Sequence, residues 1–302
     1  QILRGKWPPK RIISQVKKDP CGAVIYTPIN VFPLDSVTSK MHAHRISKLA
    51  HKIFWGKKAA NFEGRKTILW VYHVEIAHIS NYVLGIPHDL LIYDCVDNYE
   101  GFPRNNTPEK REKIRNKEKY LATKANIVFA TAPGLVDKLK QYNQNVHFTP
   151  NVGDFKKFFD VKARIENLPQ DLERIPRPRV GFTGALDEYK FDAELMKKTA
   201  EKNPHISFVL IGQVALQDKK ANLSSLGLDK YPNIYFLGQK PYEILENYYA
   251  GFDGYIIPYR LNEYTVGGCF PVKFHDALAG GLPIVVTNLP TYAPFKDVAY
   301  IA

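Results

Sequence analysis

Between Gly254 and Val286 the chain reads GYIIPYRLNEYTVGGCFPVKFHDALAGGLPIVV, and few folds accept that order of signals. An apolar strand, Tyr255 to Ile257, is cut off by Pro258. A polar loop from Tyr259 to Gly268 carries Arg260, Asn262, Glu263 and Thr265. A helix starts near Pro271, whose missing N–H has no helical partner in a first turn. Gly280-Gly281 stops that helix, and a second apolar run, Leu282 to Val286, follows at once. Strand, loop, helix, strand is a βαβ unit, the building block of a parallel α/β sheet.

The unit also carries chemistry. Lys273 and Asp276 lie three residues apart, side by side on the helix. With Arg260 close to the helix N-terminus, backbone N–H groups, dipole and cations together suit a diphosphate. Asp276, one turn further in, is placed to accept hydrogen bonds from ribose hydroxyls. A plain Rossmann-like unit with a solvated charged helix face has the same sequence position, so helix placement alone leaves both readings open.

Strand and helix signals alternate through the rest of the chain, which implies a doubly wound parallel sheet. In the first half, strands are expected at 22–32, 67–72, 90–93, 125–130 and 146–148, with helices at 42–55, 108–124 and 135–142. His73, Glu75 and His78 follow the second strand at its carboxyl end, where open α/β sheets bind ligands. No third ligand accompanies the two histidines, so no metal is expected there. Asp94 and Asp97 follow the third strand and either act on hydroxyls or as a base, or cap the next helix. Residues 161–178, with Pro169, Pro176 and Pro178, read as a linker between a domain at 1–160 and one at 179–302. In the second domain, strands at 179–183, 206–211 and 233–237 each run into a glycine: Gly184, Gly212 and Gly238. Tyr242, Leu245, Tyr248 and Tyr249 read as a packing face. Neither G-x-G-x-x-G nor a Walker lysine loop is present, so nicotinamide-cofactor and P-loop fingerprints are absent.

Charge separates the halves. Residues 1–150 hold 24 Lys and Arg against 12 Asp and Glu, whereas residues 151–302 hold 18 against 18. The whole net charge of +12 lies in the first half, which therefore meets something anionic or only aids solubility. His42 to Trp55 has the spacing of a basic amphipathic helix, suited to a membrane surface or to a crossover between strands. Three scattered cysteines argue for a reducing compartment. No run approaches the ~18 apolar residues of a membrane span, and no signal peptide opens the numbered chain, so a cytosolic location is expected.

Pro258, Tyr259, Arg260, Asn262, Glu263, Thr265, Pro271, Lys273, Asp276, Ala279, Gly281, Pro283, Val285 and Val286 together resemble the donor-site signature of GT-B glycosyltransferases. The likeness is to the large retaining family that includes bacterial teichuronic acid and capsule transferases. Looser likenesses are IYDCVDNYEGF at 92–102, TPNVGDFKKFF at 149–159 and NIYFLGQKPYEILENYYAGFDGYIIPYR at 233–260. Two departures stand out: Asp276 replaces a glutamate, and Gly268 replaces the first Glu of an E-x7-E pair. The resemblance implies two Rossmann-like domains facing a cleft, and transfer of a sugar from a nucleoside-diphosphate sugar to an acceptor hydroxyl. It implies catalytic roles for His73, Asp97, Arg260 and Lys273. It implies donor contacts from Gly184, Lys190, Gly212, Gly238, Glu263, Tyr264, Thr265 and Asp276.

Neither metal nor cofactor is needed in that reading, because the two cations neutralise the leaving diphosphate. The expected acceptor is a lipid-linked or polysaccharide chain, at the inner face of a membrane, and nucleic acid is not an expected partner. Relatives begin further upstream and continue past residue 302, so the numbered chain is expected to lack terminal parts or to be a shortened member. Two other readings remain: a sugar-nucleotide 2-epimerase on the same fold, and a non-catalytic basic module binding nucleic acid or membrane.

Overall fold

The computed structural model describes residues 15–18, 24–27, 66–76, 79–80, 83, 88–164, 166–215 and 222–302. The expected helix at 42–55, its histidines and His78 lie outside the described residues. The chain divides into two compact units, residues 1–94 with 112–128, and residues 95–111 with 129–302.

In the first unit, β1 (Gln15–Lys18) pairs antiparallel with β2 (Val24–Thr27). This pair departs from the parallel pattern expected throughout, and β1 comes from the proline-broken basic segment, where no strand is expected. β3 (Ile68–Val71) pairs in parallel with β4 (Leu90–Cys95). Helix α1 (Pro108–Lys124) turns most of its charges outward and buries Ile114, Leu121 and Ala122. It also buries Glu118, whose carboxylate accepts a hydrogen bond of 3.0 Å from the Tyr93 hydroxyl, and a buried carboxylate needs such a donor. β5 (Ile127–Ala130) and β6 (Val146–Phe148) complete the order β3-β4-β5-β6. β4 and β5 each run from one unit into the other.

The second unit is built on β7 (Arg179–Thr183), β8 (Ser207–Ile211), β9 (Ile234–Gly238), β10 (Gly254–Ile257), β11 (Ile284–Val286) and β12 (Tyr300–Ile301). All five pairings are parallel, in the order β12-β11-β10-β7-β8-β9. Every residue of β8 is buried, and so are Tyr255, Ile256 and Ile257 of β10. Strands covered on both faces read as continuous apolar runs. The chain winds outward from β7 to β9, then returns to the other side of β7 with β10, so the order reverses between β7 and β10.

Helices α2 (Pro133–Lys140), α3 (Ala193–Lys202), α4 (Leu245–Ala250), α5 (Glu263–Gly268) and α6 (Val272–Ala279) belong to this unit. α5 lies where the sequence reads as loop. Asn262 caps it by accepting from the N–H groups of Tyr264 and Thr265, and the Thr265 hydroxyl accepts from Asn262 in return. That capping box offsets the two glycines that close the helix. Residues 161–178, expected as a linker, form short helical turns at 161–164 and 170–173. Val161 and Leu172 on these turns, and Ile175 after the second, are buried in the main core, since prolines break helices without keeping single apolar residues from packing. Among the described residues no helix is long and apolar enough to cross a membrane.

Candidate functional site

The strand order reverses between β7 and β10, and doubly wound sheets bind ligands in a crevice at such a point, at the carboxyl ends of the strands. The loops leaving β7 and β10 are tied together there. The Asp192 N–H donates to the Pro258 carbonyl and the Arg260 N–H to the Lys190 carbonyl, each at 2.8 Å.

Gly184, Gly212 and Gly238, singled out from the sequence, end β7, β8 and β9 in succession. Their φ values of 124°, 152° and 67° lie in the region that favours glycine. Space is as limiting as conformation. A Cβ at Gly212 would lie 1.9 Å from the Gly184 carbonyl oxygen, and one at Gly184 would lie 2.2 Å from the Lys273 Nζ. Above this floor is a cavity of about 170 Å³, with Thr183, Gly184, Gly212, Gln213, Gln239 and Lys240 in its wall. Under it, the Thr183 hydroxyl meets the phenols of Tyr249 and Tyr255, at 2.8 and 2.5 Å. Burial pushes the Tyr255 phenol up to about 12, against the hydrogen bonds of this network, which pull it back. Tyr248 and Tyr249 are buried as expected, but Tyr242 is 48% exposed, with the Lys157 ammonium 5.1 Å from its ring centre. It leads into α4 rather than packing beneath it.

The cations define the site's electrostatics. Lys273, in the first turn of α6, places its ammonium 4.3 Å from the Phe182 ring centre and 5.5 Å from that of Tyr259. Burial first, and then the charge of Lys190, bring its pKa down to about 7. The Arg260 Nε is buried without a hydrogen-bond partner. Among the described residues neither Arg260 nor Lys273 forms an ion pair. Lys190, by contrast, is 3.6 Å from Asp187. A shielded cation without an ion pair is costly, and Asp187 and Asp276 offset that cost at Lys273 only as minor influences.

Asp276 sits one turn beyond Lys273 and is 6% exposed. It accepts a hydrogen bond of 3.1 Å from the Asp154 N–H, and burial raises its pKa to about 6. The PNVGD stretch is therefore docked on α6, and Asn151 adds a bond of 2.8 Å to the Phe270 carbonyl. Sequence reasoning missed this contact, since it spans 122 residues.

The remaining expected residues cluster around α5. Glu263 is held by Arg111 at 2.7 Å. Thr265 is 1% exposed and spends its hydroxyl on the cap and on the Arg260 carbonyl. The Tyr264 hydroxyl donates to Asp97 at 2.8 Å, and burial raises the Asp97 pKa. Asn98 donates to the Glu263 carbonyl at 3.1 Å. At Gly268 a Cβ would approach the Leu135 side chain to 2.9 Å and the Asn98 Cβ to 3.2 Å, so this close packing occupies the space a glutamate would need. His73 and Asp94 belong to the first unit. There the His73 Nδ1 accepts from the Glu75 N–H at 3.4 Å, and Asp94 accepts from the Trp70 indole at 3.1 Å. Among the described residues no group of three His, Cys, Asp or Glu side chains is placed to hold a metal ion.

A reversing parallel sheet, positive-φ glycines at its strand ends and Lys273 on the helix after β10 define a Rossmann-like domain of the GT-B fold. Residues 177–297 match the family model described as Glycosyl transferases group 1. The chain is 26% identical over 270 residues to the putative teichuronic acid biosynthesis glycosyltransferase TuaH of Bacillus subtilis (strain 168), covering 86% of this chain. It spans 64% of the length of that relative. Its structure resembles sucrose-phosphate synthase from Thermosynechococcus elongatus, with TM-score 0.65, 15% identity, and coverage of 95% of this chain and 71% of that one. It also resembles Anabaena HepE in complex with UDP and glucose, with TM-score 0.59, 15% identity, and coverage of 90% and 70%. The fold is that of the GT-B glycosyltransferases.

Proposed function

We propose that this chain transfers a glycosyl unit from a nucleoside-diphosphate sugar to an acceptor hydroxyl in the synthesis of a surface polysaccharide or glycolipid. The observation that carries the reading is Lys273, without an ion pair among the described residues and set against Gly184 at the end of β7, together with the partnerless Nε of Arg260 on the loop leaving β10. A diphosphate supplies the missing anion. Its charge grows as the glycosidic bond breaks, so cations fixed beforehand stabilise the transition state more than the ground state. They do so without a metal, since Arg and Lys take the role that a bound ion plays in other phosphate chemistry. The Gly184 and Gly212 turns let the diphosphate approach the backbone, and Asp276 accepts from ribose hydroxyls.

Asp97 serves the acceptor side, and the resemblance supports retention of configuration, which demands no strong base. UDP bound to Anabaena HepE supports a uridine donor among the alternatives. The charge excess of residues 1–150 supports an acceptor at an anionic membrane surface.

Thermal stabilisation across a panel of UDP-, GDP- and dTDP-sugars tests the reading. One nucleotide class is expected to raise the melting temperature of the wild type and to leave Lys273→Ala unmoved. Stabilisation by none of them, or equal stabilisation of the variant, overturns it.

A further inference from the structure

Tyr264 reads from the sequence as a donor contact, yet its hydroxyl is committed elsewhere. It donates to Asp97 Oδ1 across 167 residues of chain. Its ring has little freedom to leave. Phe102 lies 5.0 Å from it and Tyr189 5.1 Å, centre to centre, and those two rings also contact each other at 6.2 Å. On the backbone side, Gly101 approaches so closely that a Cβ there would lie 3.0 Å from the Tyr264 Cα. Asn98 fastens the neighbouring carbonyl of Glu263, and Arg111 its carboxylate. Three rings, one glycine contact and two polar ties hold a single phenol against a single carboxylate.

We infer that Tyr264 is a positioning residue for Asp97: its hydroxyl fixes the orientation of the carboxylate that serves the acceptor. The inference rests on the transferase reading only for the acceptor's presence, because the geometry is complete without it. A burial-raised carboxyl is pulled back toward the ionised form by each hydrogen bond it accepts. Tyr264 is the largest influence in that direction on Asp97, followed by the charges of Lys190 and Arg104. Cys269 and Tyr189 are also within electrostatic reach of Asp97, and both stay neutral near pH 7, because burial raises the pKa of each. When the phenol is removed, only the smaller influences of Lys190, Arg104 and the Asn98 backbone N–H remain. Asp97 is thereby set apart from Asp94, which is bonded to an indole in the first unit and has no part in this box.

The test compares wild type with Tyr264→Phe, which keeps the ring and deletes only the hydroxyl. Carbon-13 NMR of labelled aspartate carboxyls, assigned with Asp97→Asn, is expected to show Asp97 titrating at higher pH in Tyr264→Phe. With the donor of the panel that binds, nucleoside diphosphate release under turnover should fall roughly tenfold, the equivalent of one hydrogen bond to a charged group. Its acidic limb should move to higher pH and the donor KM should stay unchanged. In the background of Asp97→Asn, Tyr264→Phe should add no further loss. An unmoved Asp97 titration overturns the inference, as does a loss confined to donor KM. Absence of release from every donor by the wild type would instead remove the transferase reading, while the carboxyl titration would still decide the role of Tyr264.

Discussion

The floor of the switch-point crevice and the clasp around α5 are opposites in how they treat charge. In the clasp every polar group named above has a partner: Arg111 with Glu263, Tyr264 with Asp97, Asn98 with a carbonyl. In the crevice, Lys273 lies on two aromatic rings, and Arg260 presents a buried Nε with nothing to bond. A shielded charge without an ion pair destabilises the folded chain and is relieved by losing its proton or by a partner from outside. On the proposed function the clasp serves geometry and the crevice serves a ligand, and substitutions should separate the two.

The largest effect is expected at Gly212. Its Cβ would collide with the Gly184 backbone, and no flexible side chain is there to yield. Gly212→Ala should cost at least about 3 kcal/mol of stability, read by denaturant unfolding, and should abolish nucleotide binding. Next comes Lys273→Met. Removing a charge that burial disfavours should leave the ligand-free protein as stable as the wild type or more so, while affinity for the nucleoside diphosphate falls roughly a hundredfold, as when a shielded charge loses its partner. Calorimetric titration alongside unfolding reads both. Equal losses of stability and affinity would make Lys273 a structural residue and erase the contrast.

What the sequence revealed and what it hid follow the same division. The crevice was legible because its signals are short-range. Pro271 starts α6 and Gly280-Gly281 stops it. Three apolar strands each end in a glycine, and Lys273 and Asp276 share a helix face by spacing alone. The clasp was not legible, since its bonds join residues 152 to 167 apart and no local pattern records them. α5 was missed for a smaller reason. Its two terminal glycines read as loop, although Asn262 and Thr265 carry the cap signal three residues apart. The buried turns at 161–178 were hidden by their prolines, which mark breaks in secondary structure but say nothing about burial.

Protonation sharpens the contrast further. The Lys273 pKa is about 7 in the folded protein against 10.5 for a free lysine, so between those values the unfolded chain binds more protons. Stability of the ligand-free protein should therefore rise with pH from about 7 to 10.5. Asp276 works in the opposite direction at lower pH. Its folded value is raised to about 6 from 3.8, so the stability it contributes is full below 3.8 and is lost as pH rises through 6. On the proposed function nucleoside diphosphate binds the protonated lysine, so its affinity should weaken above pH 7, by at most about tenfold per unit. A saturating ligand should flatten the alkaline rise in stability, and Lys273→Met should remove it. A rise that persists in Lys273→Met would assign it to another group.

The smallest effect belongs to the clasp. Arg111 and Glu263 are partly exposed, at 37% and 56%, and such pairs contribute about 0–1 kcal/mol. Arg111→Met keeps the aliphatic stem and removes the fork, so unfolding should change by less than about 1 kcal/mol. Nucleotide affinity should stay as it was, because neither side chain lines the crevice floor. If Arg111→Met instead weakened nucleotide binding as Lys273→Met does, Glu263 would be holding the donor through Arg111. The clasp and the crevice would then be one site rather than two, and the division drawn from their charges would fail.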